Sequence, residues 1–228
     1  MASAARSRVP CTEMPARVLL TGFEPFGPHS VNPSERVLRP LAAAAPGGAV
    51  ISTRVLRVSY RNAFSPIREA LDHERFDTVL LLGLGADRRV ISFERVAVNR
   101  RGATRPDNDG VRRGGERIET AGPAACFSTV PIDELVTATR AAGVPAAGSD
   151  DAGTFLCNQV LYQTLRHCDR NRLRVRAGFV HLPPFPEHVE TGEPSLSEAT
   201  LLAGLSAAIE VIAALPRPDA ARATDGGE

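Results

Sequence analysis

The run Asp77-Thr-Val-Leu-Leu-Leu-Gly83 limits the possible folds more than any other segment. Val79 through Leu82 leave no polar face, so a strand here must be covered on both sides. Arg17-Val-Leu-Leu-Thr21, ending in Gly22, reads as a second buried strand that opens into a loop. Such strands, set between helical segments, mark a parallel sheet packed between two helix layers. The expected fold is α/β: a three-layer α/β/α sandwich around an open, twisted, mostly parallel (mixed) sheet.

The remaining segments fit that frame. Residues 35–45 carry a helical face at Val37 and Leu41, and 50–58 read as a strand. A helix is expected over 59–74, with Ile67, Ala70 and Leu71 inward. Val90–Val98 alternates like a strand pair or hairpin arm, and 127–130 reads as a further short strand. Pro131 starts a helix to about Ala142, because its missing N–H costs nothing in a first turn. Gly143–Gly148 breaks the chain. Thr154 is a candidate cap for a helix to about His167, and 172–180 reads as a strand. Ser195–Ala214 is amphipathic, with Leu201, Leu202, Leu205, Ala208, Ile209 and Ile212 on one side. Asn99–Glu119 is polar and rich in Gly and Arg, a long loop of the kind that usually carries function.

No interior linker divides the 228 residues, so 16–215 is expected to form one α/β domain, with 1–15 as a disordered extension and 216–228 as a tail. The formal charge of +1 is too small for electrostatic capture of nucleic acid. The Arg-rich stretches 105–117 and 170–176 read as solvated surface. No apolar run approaches the length of a membrane span, and the basic start lacks the apolar core of a secretory signal. The four cysteines, Cys11, Cys126, Cys157 and Cys168, show no CxxC spacing. That pattern suits a reducing, cytoplasmic setting and implies no metal and no cofactor.

One cysteine differs from the rest in its setting. Asp151-Ala-Gly-Thr-Phe-Leu-Cys157-Asn158 is a Gly-Thr turn feeding a helix, which places Cys157 in the first turn. There the free backbone N–H groups and the helix dipole favour a charged sulfur. His181 follows the apolar run 175–180 and so stands at a strand's carboxyl end, where active groups gather in open α/β sheets. A thiol and an imidazole so placed can meet across one crevice. On the residues alone His29 and His188 compete with His181 as the base, and Glu94 reads as a surface residue paired with Arg95.

Four motifs in order add a resemblance. Thr21-Gly-Phe-Glu-Pro-Phe-Gly27 with Asn32-Pro-Ser34 resembles the N-terminal signature of the type I pyroglutamyl peptidases, or pyrrolidone carboxylate peptidases. Glu94-Arg-Val-Ala-Val-Asn99 with Pro106-Asp-Asn108 is similar to their second signature, Ala152–Asn158 to the nucleophile signature, and Gly178-Phe-Val-His181 to the segment supplying the base. The resemblance implies cysteine peptidases that remove an N-terminal pyroglutamate. It implies Cys157 as nucleophile, His181 as general base and Glu94 as the group that orients the imidazole. Phe23, Phe26, Phe155 and Leu156 are implied to line the substrate pocket, and homodimers or homotetramers are the implied assembly. The implied partner is a small peptide or a lactam-bearing small molecule.

The chain departs from that pattern at Leu84, where many members carry glutamine, and at Thr104 and Arg105, which stand in place of Arg-Ile. All three positions belong to the expected substrate-binding set. An outward Arg105, paired with acids of its own loop, is expected, because an unpaired guanidinium in an apolar pocket is costly. Two alternatives stay open: a related amidohydrolase acting on another N-acyl group or small lactam, and a non-catalytic binding homologue.

Overall fold

The strand β3 (Thr78–Leu84) is buried at all seven positions and lies inside a six-stranded sheet. The computed structural model describes residues 14–103 and 105–218; Cys11, Thr104 and the outer parts of both expected terminal segments lie outside the described residues. The other strands are β1 (Arg17–Phe23), β2 (Val50–Leu56), β4 (Ile91–Glu94), β5 (Val96–Val98), β6 (Arg101–Gly102), β7 (Gly114–Glu116), β8 (Ala125–Phe127), β9 (Ala146–Ser149) and β10 (Arg176–Leu182). The helices are α1 (Pro33–Arg36), α2 (Leu38–Ala44), α3 (Ser65–His73), α4 (Ile132–Ala141), α5 (Leu156–Arg170) and α6 (Glu198–Ala214).

The main sheet runs β2-β1-β3-β10-β4-β9. Every neighbouring pair is parallel except β10 with β4, so the sheet is mixed and mostly parallel, as expected. Side chains alternate across it with the two-residue period of a strand. Val18, Leu20, Leu80, Leu82, Phe93 and Val180 face a core that includes residues of α2, α4 and α6. Leu19, Val79, Leu81, Ala177 and Phe179 face the other core, with residues of α3 and α5. Each fully buried leucine contributes about 1.5–3 kcal/mol by leaving water, which is why the all-apolar β3 lies inside the sheet. Among the described residues no helix is long and apolar enough to cross a membrane.

Several sequence readings are corrected. Val90–Val98 is not a hairpin: β4 stays in the main sheet while β5 leaves it to pair with β8. The segment read as a break at 143–148 contains the start of the edge strand β9, whose small residues Ala146-Ala-Gly-Ser149 carry no strand pattern. Thr154 does not cap α5; Phe155 occupies that position, and the Thr154 hydroxyl instead donates to the Gly102 carbonyl. The helix expected from 59 begins only at Ser65. The long loop at 99–119 contains the small ribbon β6–β7.

The N-terminal motif fixes where β1 ends. Asn32 caps α1, accepting from the Ser34 backbone N–H and hydroxyl and donating to the Glu24 carbonyl. The Ser34 hydroxyl oxygen in turn accepts from the Phe23 N–H at 2.9 Å. Gly22 makes this approach possible, since a Cβ there would overlap the Ser34 carbonyl. Backbone cannot rotate away as a side chain can. Gly22→Ala is therefore expected to destabilise the protein by about 3 kcal/mol, at the upper end of overpacking costs. Thermal unfolding should show a midpoint lowered by roughly 6–12 °C; an unchanged midpoint would mean that α1 yields without cost.

Candidate active site

Three strand ends and one helix start converge at the sheet's carboxyl edge. The chain leaves β1 for β2 on one side and reaches β3 on the other, which creates the crevice typical of a change in strand order. Phe23 ends β1, Leu84 ends β3, and His181 is the penultimate residue of β10. Cys157 is the second residue of α5, so the N–H groups of its first turn have no acceptor within the helix. Gly153, with φ +72°, turns the chain into that helix.

His181 and Glu94 meet because β4 runs antiparallel to β10. The register sets Phe179 opposite Glu94 and His181 opposite Ser92, so the two side chains share a face, two residues apart. His181 Nδ1–H donates to Glu94 Oε1 at 2.8 Å. The ring's other nitrogen is left for Cys157, which shares a cleft with His181 and acts on the charge of its imidazole. Gly83 lies opposite His181 on β3 and gives the sulfur its room: a Cβ there would stand 3.0 Å from Cys157 Sγ and 2.6 Å from Phe179 Cζ.

Opposing effects set the protonation of His181. Burial disfavours the imidazolium, but the Cys157 charge and hydrogen bond, followed by the bond to Glu94 and its charge, outweigh it. The pKa is pushed up to about 9. By contrast, burial alone pushes the Cys168 thiol up to about 11, and no imidazole meets it among the described contacts. His29 and His188, the competing bases, pack on the rings of Phe26 and Phe185 at 5.9 and 6.1 Å. Neither is hydrogen-bonded through its ring to Cys157 or to a carboxylate among the described residues.

Glu94 is fully buried, not a surface residue, and Arg95 instead contacts Asp133 and Asp150. A buried carboxylate without partners costs several kcal/mol, on the order of the loss seen when half of a buried pair is removed. Its second partner is Arg88, which sequence reasoning missed. Arg88 Nη2 donates to Glu94 Oε1 at 3.2 Å and to the Asp151 carbonyl at 2.5 Å. It thus ties the buried carboxylate to the turn that precedes Cys157. Gly85-Ala-Asp-Arg-Arg89 has no periodicity to mark one arginine over the other, so only the tertiary contact singles it out.

A narrow apolar recess with a cavity volume of about 20 Å³ opens beside the sulfur, lined by Phe23, Phe26, Asn32, Val58, Leu84, Phe155, Leu156 and Cys157. Five of the expected substrate-binding residues therefore come together here: Phe23, Phe26, Leu84, Phe155 and Leu156. Arg105 does not line it. Its guanidinium lies over the Phe26 ring, 5.8 Å from the centroid, on the wall of an adjoining cleft that also reaches Cys157 and His181. It is exposed, but it pairs with no acid of its loop among the described residues. Asp107 accepts instead from the N–H groups of Tyr60, Asp109 and Val111, and Asp109 from Ser59 and Arg57. Asn108 donates to Glu24 Oε1 and the Pro25 carbonyl. The second signature is thus a clasp that ties the loop to the strand ends around the pocket. Asn158 adds another, bonding the Val98 backbone at both N–H and C=O and the Arg100 carbonyl.

Comparison with known proteins agrees with the motifs. The sequence pattern of the family described as pyroglutamyl peptidase matches residues 16–215. The pyrrolidone-carboxylate peptidase of Streptomyces coelicolor is 39% identical, over 92% of this chain and 98% of the relative. That of Bacillus licheniformis is 37% identical, over 90% and 96%. Among solved structures, pyroglutamyl peptidase I of Bacillus amyloliquefaciens superposes with a TM-score of 0.84 at 37% identity, covering 88% of this chain and 98% of that one. A pyrrolidone carboxyl peptidase mutant from Pyrococcus furiosus superposes with a TM-score of 0.81 at 37% identity, covering 86% and 97%. With the match spanning the whole α/β body and the site at its centre, the chain belongs to the pyroglutamyl peptidase family.

Proposed function

We propose that this protein is a cysteine peptidase that hydrolyses the amide bond after an N-terminal pyroglutamyl residue. The observation that carries the reading is the meeting of Cys157 with the hydrogen-bonded pair His181–Glu94 in one cleft, beside a small apolar pocket. His181 takes the thiol proton, and the sulfur attacks the pyroglutamyl carbonyl. The developing oxyanion is met by backbone N–H groups at the start of α5. His181 then gives its proton to the leaving amine, which departs and leaves a thioester. Water, deprotonated by His181, attacks the thioester and releases pyroglutamate and the thiol. Glu94 holds the imidazole in one tautomer and stabilises its charged form throughout. Glu94 and Arg88 hold their places by the bond between them, so Arg88 acts on the reaction through Glu94.

The lining of the pocket supports a lactam as the acyl group. Its side chains are apolar apart from Asn32 and Cys157, and the Asn32 amide is committed to Ser34 and Glu24. Leu84 brings no hydrogen-bonding group, so the ring's N–H and C=O turn to main-chain groups of the pocket wall. A free secondary ammonium, as in an N-terminal proline, would lose its water there without an anionic partner. The free thiols Cys126, Cys157 and Cys168 support a reducing, cytoplasmic setting. For the homodimer or homotetramer implied by the resemblance, the exposed Val98 and Phe127, on one face of the paired strands β5 and β8, offer an apolar surface.

Three tests follow from this reading. Pyroglutamyl anilide should be cleaved with a kcat/KM at least about a hundredfold above prolyl anilide, the penalty of about 3 kcal/mol or more for an unpaired buried charge. Faster turnover of a prolyl or N-acyl anilide would assign the chain to a related amidohydrolase, as the replacement at Leu84 would then suggest. No turnover of any of them would leave a binding homologue. The alkaline limb of kcat/KM should fall near pH 9, where His181 loses the proton it must donate; the apparent value belongs to the coupled Cys–His pair. Because that pKa is raised, its contribution to stability is complete below the ordinary value near 6.5 and is lost as pH rises through about 9. Glu94→Gln removes a cause of the rise, so the limb should move to lower pH, and an unmoved limb would deny Glu94 its part. Finally, sedimentation at micromolar concentration should show a dimer or tetramer, and a monomer would refute the assembly.

A further inference from the structure

Arg105 has a place in the reaction that the triad and the pocket do not use. A substrate whose lactam fills the pocket, and whose carbonyl lies at Cys157, must send its leaving residue into the adjoining cleft. Arg105, Gly153 and Thr154 are among that cleft's walls. The cleft holds two carboxylates, Asp87 and Asp151, on the segments after β3 and before α5, and Arg88 reaches between those segments. Arg105 enters from the 99–119 loop and lies over Phe26, 5.8 Å from the ring centroid, with its Nη1 3.7 Å from where a Gly27 Cβ would be. The acids near it in sequence are spent on Tyr60, Val111, Ser59 and Arg57. Arg105 therefore has neither a hydrogen-bond acceptor nor a carboxylate partner among the described residues. His29, also packed on Phe26, feels the Arg105 charge. A guanidinium over an aromatic ring, without an acceptor among the described residues and beside the path of the leaving group, is suited to meet an anion.

We infer that Arg105 selects substrates whose leaving portion carries a carboxylate close to the scissile bond, either an acidic side chain or the free C-terminus of a short peptide. The inference rests on the pyroglutamyl peptidase reading and deepens it. Phe26 has a double part: it lines both the lactam pocket and the adjoining cleft, and the Arg105 guanidinium lies over its ring. Acyl-group recognition and leaving-group recognition are therefore joined through one ring.

The test compares three substrates: pyroglutamyl-alanine amide, pyroglutamyl-alanine with a free carboxylate, and pyroglutamyl-aspartate α-amide, blocked at the C-terminus with its side-chain carboxylate free. Wild-type kcat/KM for at least one carboxylate form should exceed that for the neutral amide by about five- to tenfold at low salt, and the ratio should shrink as ionic strength rises. The arm that shows the preference identifies its source. Arg105→Ile should bring that ratio to about one, and Arg105→Lys should keep part of it, because the charge remains without the planar fork. Equal wild-type rates on all three substrates, or a ratio that survives in R105I, overturns the inference while the functional reading stands. Failure of the wild type to cleave even the neutral pyroglutamyl amide overturns both.

Discussion

Everything at the site depends on the register of β10 between a parallel neighbour and an antiparallel one. From β3 it takes Gly83 opposite His181, which leaves space for the sulfur. From β4 it takes the shared face on which Glu94 reaches the imidazole. A slip of one residue would turn His181 toward the opposite core and Val180 toward the cysteine. The alternation of buried residues on both sides of His181 makes such a slip expensive: Phe179 belongs to one core, Val180 and Leu182 to the other. The packing that stabilises the sheet therefore also aims the imidazole.

The buried charge is supported from two directions. Glu94 is buried, and its Oε1 accepts from both the imidazole and the Arg88 guanidinium, while Oε2 meets no donor among the described residues. Arg88 is partly exposed, so its own desolvation is incomplete, while the carboxylate it meets is fully enclosed. That asymmetry lets the pair keep Glu94 buried without the full penalty of two buried ions. It also makes one arginine the link between the strand that carries Glu94 and the turn that carries Cys157.

Around this centre the motifs divide into groups that react and groups that hold. Asn32 and Ser34 fix the end of β1, and with it Phe23. Asp107, Asn108 and Asn158 fasten the polar loop to Tyr60, Glu24 and β5. Most of these hydrogen bonds go to backbone, which pairs main-chain groups of an irregular segment at the border of the pocket.

The sequence by itself determined the layered α/β body, because β1 and β3 are apolar on both faces and the helices carry their stripes at helical spacing. It marked Cys157 as a candidate and His181 as one of three competing bases, since a helix start and a strand end are local features with local signals. The order of the strands was not legible there, nor was the edge strand β9, because Ala-Ala-Gly-Ser is held by its neighbour rather than by its own pattern. Glu94 looked like a surface residue because one carboxylate in an alternating strand gives no sign of which face is covered; the motif resemblance, not the strand pattern, marked it. Arg88 gave no sign at all, and Arg105 lay over Phe26 rather than against the acids of its own loop, because those acids were already committed. Only the tertiary structure decided these, for one physical reason: a charged side chain takes its role from partners that arrive from distant parts of the chain, whereas apolar periodicity is written into the segment that folds.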